Sequence, residues 1–192
     1  SLGDQTYGNY EIHIIREKGE LSKLRNQGAK KAAGEIITFI DDDVELPTTW
    51  LESVVAAFKE GIGGVSGPAV IPFAYRCQRD LFKWSVIKRI YDCLFLDGKE
   101  ALPGHITRSG TWTTGAVSDQ CQYEGPVDFL EACNMSWRRK AFEQVGGFDE
   151  SYCGIGDWSE PDLAFRVRKY GWKLWFTPAA KLYHLPDRTG AY

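Results

Sequence analysis

The sequence predicts an α/β domain built on a mostly parallel sheet, and three observations carry that prediction. Strand-like and helix-like stretches alternate from residue 10 to residue 70; residues 35–40 form a near-continuous apolar strand; and that strand stops abruptly at Asp41-Asp42-Asp43. Such alternation marks a parallel sheet covered by helices, and a strand apolar on both faces belongs inside one. Sheets of this kind bind ligands at the carboxyl ends of their strands, where the aspartates sit. A length of 192 residues favours one domain with one buried core.

The elements follow in order. Residues 10–15 alternate and are rich in β-branched side chains, which predicts a strand. Residues 20–33 read as a helix with an apolar stripe of Leu21, Leu24, Ala29, Ala32 and Ala33, and Gly34 stands where a C-cap is expected. After the aspartates, Pro47 opens a helix that buries Trp50, Leu51, Val54, Val55 and Phe58. Residues 61–64 break it, and residues 64–70 predict a further strand. A helix is expected over 79–96, with Trp84 on its core side, and loops over 103–125. Residues 127–137 look extended, residues 139–145 form a short helix stopped by Gly146-Gly147, and a longer helix runs over 160–170 to Gly171. Short strands are predicted over 172–177 and 180–184. No repeat or linker divides the chain.

Composition narrows the function classes. Hydrophobic residues at 43% and charged residues at 26% suit a soluble globular chain. The formal charge of -3 supplies no basic field for nucleic acid. Five scattered cysteines, none in a C-x-x-C pair, read as reduced thiols of a cytoplasmic protein rather than a disulfide framework. No apolar run reaches the ~20 residues that span a bilayer. The expected location is the cytoplasm, with the inner face of the membrane as the alternative. Seven tryptophans serve a core and a carbohydrate cleft alike.

Three carboxylates pinned to a strand end repel one another unless a cation neutralises them. Hard oxygen ligands favour Mg²⁺ or Mn²⁺, which also bridge diphosphate oxygens. A solvated acidic loop is the competing reading.

The surrounding motifs supply more. Leu21-Ser22-Lys23-Leu24-Arg25-Asn26-Gln27-Gly28, then residues 33–43, then Pro47-Thr48-Thr49-Trp50-Leu51 form one ordered series. Ala132-Cys133-Asn134-Met135-Ser136-Trp137-Arg138-Arg139, Val145-Gly146-Gly147-Phe148-Asp149-Glu150 and Glu160-Pro161-Asp162-Leu163-Ala164-Phe165-Arg166 continue it, and Pro178 and Tyr183-His184 close it. The series resembles the family 2 glycosyltransferases, which have a GT-A fold with a Rossmann-like sheet. The resemblance covers most of the chain and is thinnest over 71–125. It implies one GT-A domain over 1–192, with a nucleotide- and metal-binding part over 1–70 and an acceptor-side part over 71–192.

Residue by residue, the resemblance implies that Asp41 and Asp43 are the acidic positions of an Asp-x-Asp motif. Asp43 would be the direct metal ligand, with Asp41 toward the ribose or the metal shell. Arg25 and Asn26 match the nucleotide pocket, although a helix surface would also place them. His184 matches a late histidine that completes the metal site in several relatives. Glu160 and Asp162 match the segment that supplies the catalytic base, with Glu160 preferred as the base and Asp162 as an organiser of the site. Acidic residues in a first helical turn are also favoured by the macrodipole alone. Trp112, Trp137 and Trp158 are candidate acceptor platforms, with Trp158 best placed beside Glu160.

The implied activity is an inverting, metal-dependent transfer from a nucleotide-diphospho-sugar to a saccharide or lipid-linked acceptor, as in polysaccharide biosynthesis. The donor base is open among UDP, GDP and dTDP; peripheral membrane association and self-association are open too. Two departures stand out. The family's first strand is absent before Ser1, and Arg16-Glu17-Lys18-Gly19 stand where relatives carry Asp-Asp-Gly-Ser and an intervening strand. The chain therefore reads as an N-terminally truncated fragment. A degenerate, non-catalytic binding module is the alternative, and a nucleotidyltransferase a third class.

Overall fold

The computed structural model describes residues 2–72, 85–99, 102–117, 119–153 and 158–185. In chain order the elements begin with α1 (Leu21–Lys31), β1 (Ile36–Ile40), β2 (Val44–Glu45), α2 (Trp50–Ala57), β3 (Ile62–Ser66) and β4 (Ala69–Val70). They continue with α3 (Ser85–Phe95), β5 (Pro103–Ile106), β6 (Trp112–Thr114), β7 (Gly125–Val127) and β8 (Asn134–Arg138). Helices α4 (Arg139–Gln144) and α5 (Ser159–Lys169) and strands β9 (Lys173–Phe176) and β10 (Leu182–His184) complete them. None of the helices among the described residues is long and apolar enough to cross a membrane.

The main sheet has the order β1-β8-β3-β9-β7. Only β3 and β9 pair in parallel; β1 with β8, β8 with β3, and β9 with β7 are antiparallel. The α/β class holds, but the sheet is mixed rather than mostly parallel. The apolar strand after α1 is accordingly an edge, and its residues are partly exposed except Ile37. Strand β8 takes the interior place, with Met135 and Trp137 fully buried. Trp137 is thus a core residue and not an acceptor platform. Around it pack Leu130, Leu163, Val167, Leu174 and Phe176. A second cluster under α2 joins Trp50, Val54, Leu46, Ala180 and Leu182, and beside it β2, β10 and β4 form a small sheet.

Several local expectations give way to longer-range contacts. Residues 10–15 run without strand pairing, and Tyr10, Ile12 and Ile14 are exposed. A strand needs a neighbouring ladder, and β1 pairs with β8 alone among the described residues. Glu11 instead accepts hydrogen bonds from Ala33 N and Gly34 N. Gly34 does not cap α1, which ends on an extended Ala32. The Arg139 guanidinium takes over that task by donating to the carbonyls of Ala29, Ala32 and Gly34. The buried face of α1 is mostly polar, Ser22, Arg25 and Asn26 with Ala29, rather than its leucine stripe.

The strand expected over 64–70 is cut in two at Gly67-Pro68, and its halves join different sheets. The loop region over 103–125 contains the β5–β6 hairpin, in which buried Thr113 accepts from His105 N. The extended stretch over 127–137 breaks at a turn closed by Asn134 N donating to Glu131 O, because β7 and β8 belong to different places in the sheet. Residues 79–84 of the expected helix, with Trp84, lie outside the described residues.

Gly67 ties the two sheets together by close approach. A Cβ on it would stand 2.2 Å from the Ala180 carbonyl oxygen, the same oxygen that accepts Asn134 Nδ2 at 2.8 Å. Backbone has to move to admit one. Gly67→Ala is expected to lower stability by about 1–3 kcal/mol, read as a shifted urea midpoint with an unchanged slope; a wild-type midpoint would refute the packing role.

Candidate functional site

The cleft is assembled where β1 ends. Asp41 leaves the strand, Asp42 points to solvent, and Asp43 leads into β2. Strand β10 runs antiparallel to β2 with His184 opposite Val44, and Leu185 N donates to Asp43 O at 2.8 Å. That register brings His184 Nε2 to 3.2 Å from Asp43 Oδ1. Ligand atoms of Asp41, Asp43 and His184 all lie within 4.8 Å of one another.

Asp43 Oδ1 and His184 Nε2 are buried and face each other at ion-pair distance, and neither makes a well-aligned hydrogen bond to any other group. Buried polar atoms seldom stay unsatisfied without a reason. Two carboxylates and an imidazole with free acceptor atoms fit a divalent cation, so these three residues could hold one. Burial pushes the Asp41 carboxyl above its ordinary range; Asp43 and Asp42 add to the rise, while Arg25 and His184 oppose it.

Arg25 and Glu160 form the second half of the cleft. Both are buried, and Arg25 Nη1 donates to Glu160 Oε1. The guanidinium also sits over the Phe148 ring, 5.3 Å from its centroid. Asn26 fixes that ring's backbone: its Nδ2 donates to Phe148 O and Glu150 Oε1, and its Oδ1 accepts from Phe148 N. Gly147 makes the fit possible, for a Cβ there would meet Asn26 Oδ1 at 2.6 Å. The two α1 residues matched to a nucleotide pocket thus have different surroundings: Arg25 faces the acidic cleft, while Asn26 is engaged in bracing the 147–150 turn.

Glu160 belongs to the first turn of α5, whose N-cap Trp158 is held at φ 71°. Trp158 meets Trp112 edge to face with ring centroids 4.6 Å apart, and the two remain 46% and 41% exposed. Asp162 points elsewhere. It accepts from Arg166 Nε at 2.8 Å, and Arg166 donates onward to Val145 O and Gly147 O, which locks α5 to the end of α4.

Two cleft residues escape sequence reasoning. Glu131 lies in the turn before β8, and burial together with the charge of Glu160 pushes its carboxyl up to about 7. Cys133 is next to it; burial, Asp41, Glu131 and Asp43 push its thiol up to about 12, so it stays protonated and unreactive. The available signal was an ionisable residue inside the apolar run Phe129-Leu130-Glu131-Ala132-Cys133.

Comparison with known proteins places this geometry in context. The profile described as "Glycosyl transferase family 2" matches residues 4–146. N-acetylglucosaminyl-diphospho-decaprenol L-rhamnosyltransferase of Mycobacterium tuberculosis is 35% identical over 99 residues, 50% of this chain and 32% of that protein. Polypeptide N-acetylgalactosaminyltransferase 12 of Homo sapiens is 24% identical over 201 residues, 100% of this chain and 32% of that protein. The chain thus spans about a third of the length of these two relatives. Among solved structures, GalNAc-T7 with UDP, GalNAc and Mn²⁺ superposes with a TM-score of 0.60 at 16% identity, over 90% of this chain and 31% of that one. A mannosyltransferase of Pyrobaculum calidifontis with GDP-Man and Mn²⁺ gives 0.51 at 18% identity, over 90% and 38%. These likenesses show a GT-A fold.

Glu131 provides a test of the cleft's electrostatics. A carboxyl with a higher pKa folded than unfolded binds extra protons in the folded state, so its ionisation costs stability as pH rises. The loss begins near the ordinary value of 4.5 and is complete above about 7. Glu131→Gln, a neutral mimic of the protonated acid, is expected to match wild type at low pH and exceed it at pH ~8 by up to about 3 kcal/mol. Urea midpoints across this range decide the matter, and parallel pH profiles would remove Glu131 from the cleft.

Proposed function

The chain is a member of glycosyl transferase family 2, and from that premise we propose that it transfers a sugar from a nucleotide-diphospho-sugar to a saccharide or lipid-linked acceptor. The carrying observation is the convergence of the ligand atoms of Asp41, Asp43 and His184 within 4.8 Å, two of them buried. The relatives' names support the reading. One acts on a decaprenol-linked sugar, and the two structural neighbours hold a UDP or GDP group with Mn²⁺.

In this proposal Asp43 and His184 would hold a divalent cation as direct ligands, and Asp41 would complete the metal shell or bind the donor ribose. A divalent cation bound there supplies charge neutralisation for the departing nucleoside diphosphate. Glu160 is the general base. It removes the acceptor hydroxyl's proton while that oxygen bonds to the anomeric carbon on the face opposite the leaving group. The bond from that carbon to the diphosphate oxygen breaks with its electron pair, so the anomeric configuration inverts. Arg25 positions the Glu160 carboxylate, and Trp112 and Trp158 offer apolar faces to the acceptor sugar. Asn26 and Asp162 keep this arrangement in place through the contacts described above. Residues 1–70 then serve the donor together with His184, and the rest of 71–192 supplies the base and the acceptor side.

Two measurements separate binding from chemistry. In titrations with UDP-, GDP- and dTDP-sugars, Mn²⁺-dependent binding is expected to weaken at least about tenfold in Asp43→Ala; binding that ignores both the metal and this substitution would end the proposal. Glu160→Gln is expected to bind donor as wild type does and to lose about 10²–10⁴-fold in transfer rate. Donor binding with equal, negligible transfer in both proteins would instead identify a non-catalytic sugar-nucleotide binder.

A further inference from the structure

Away from the acidic cleft, α3 turns an apolar stripe outward. Val86, Ile90 and Leu94 recur every fourth residue and are 65%, 53% and 65% exposed, so they share one side of the helix. Amphipathic helices normally face this stripe to the core. Exposed Arg89 flanks it on one side, and on the other Tyr91 stacks on Phe95 with centroids 5.0 Å apart.

The surrounding charges are sorted by exposure. Arg89, Lys99 and Arg108 are exposed, whereas Asp92 and Asp97 are half-buried, Asp97 against Arg108. Among the described residues, exposed positive charge therefore stands at Arg89 on the helix and at Lys99 just past its end, while Arg108 is offset by its ion pair with Asp97, although the whole chain carries a formal charge of -3. A chain of contacts leads from the helix toward the cleft. The hydroxyls of Thr107 and Ser109 each donate to Phe95 O at 2.7 Å, which ties the end of α3 to the β5–β6 hairpin. In the hairpin Ile106 pairs with Trp112, and Trp112 packs on Trp158, two residues before Glu160. Ile106 and both tryptophans are exposed.

We propose that α3 docks the protein on an anionic lipid bilayer surface, with Val86, Ile90 and Leu94 at the acyl boundary and the tryptophan pair turned toward a lipid-anchored acceptor. The eleven described residues of α3 extend about 16 Å and no described helix is long and apolar enough to cross a membrane, which suits α3 to lying in the bilayer interface. Exposed Arg89 and Lys99 near an apolar stripe match anionic headgroups over acyl chains, since each exposed Lys or Arg gains from the negative surface potential. The purpose of docking rests on the transferase reading; docking itself does not depend on it.

Flotation of the full chain with phosphatidylcholine vesicles, with and without phosphatidylglycerol, measures this directly. The wild-type chain is expected to float with the phosphatidylglycerol vesicles. Ile90→Glu combined with Leu94→Glu is expected to cut the bound fraction at least about tenfold, and Ile90→Ser with Leu94→Ser serves if the charged pair perturbs the fold. Asp43→Ala is expected to float as wild type does while losing donor binding, so docking and transfer fail separately. Absence of wild-type flotation, or equal flotation by the serine pair, overturns the proposal. So does a dimer, found by sedimentation velocity without flotation, that the double variant dissolves, because the stripe would then belong to a second copy.

Discussion

The constraint on which the site depends is the crowding of carboxylates in a poorly hydrated cleft. Asp41 and Asp43 offer ligand atoms within 4.8 Å of each other, and the charges of Glu131 and Glu160 interact nearby. At an effective dielectric constant of about 20, two unit charges at that distance repel by about 3 kcal/mol. This is a large fraction of a domain's net stability. Two responses are visible within the chain. Asp41 and Glu131 are shifted toward their neutral forms, and Arg25 is drawn into the cleft against Glu160. Asp43 Oδ1 and His184 Nε2 face each other at 3.2 Å with no well-aligned hydrogen bond to the rest of the chain, and with Asp41 they could hold a cation.

Much of the scaffold serves to keep Arg25 and His184 in register with those acids. Arg25 rests on Phe148, Phe148 is pinned by Asn26, and Asn26 fits only because residue 147 lacks a side chain. His184 depends on the β2–β10 pairing, and β10 in turn follows the Ala180 segment that passes against Gly67. Arg166 closes the circuit by joining Asp162 to the carbonyls of Val145 and Gly147. A polar buried face on α1 makes sense in these terms. That helix contributes charge and hydrogen bonds to a cleft rather than leucines to a core.

The legible parts of this design were the local ones. A strand ending in three aspartates announces itself within a few residues, as do the helix starting near Pro47 and the glycine stop after α4. Motif resemblance supplied His184 and Glu160, whose partners are remote in sequence. What stayed hidden depended on remote contacts. Gly34 satisfies the usual rule for a helix cap, yet Arg139, 105 residues away, fills the role. Residues 10–15 have the alternation of a strand, but pairing is a property of neighbours and no pattern within the segment reveals their absence. Glu131 is the instructive miss. Its composition-level signal, an acid in an apolar run, acquires meaning only when folding sets it beside Glu160.

The cost of this arrangement bears on the choice between a transferase and a binding module. A protein that merely displayed a saccharide surface would need Trp112, Trp158 and a stable core. It would gain nothing from crowding that raises the carboxyls of Asp41 and Glu131, nor from an arginine buried against Glu160. Buried ion pairs of this type are frequently no more stable than apolar packing of the same volume, so stability does not account for Arg25 and Glu160. Residues that work against stability cluster where chemistry needs them. The link between the two halves of the cleft strengthens the case. Arg25 interacts with both Asp41 and Glu160, so a change of charge at Asp41 alters the hold of Arg25 on the proposed base. The proposed donor site and the proposed base, joined through one guanidinium, suit a reaction in which loss of the diphosphate and deprotonation of the acceptor coincide.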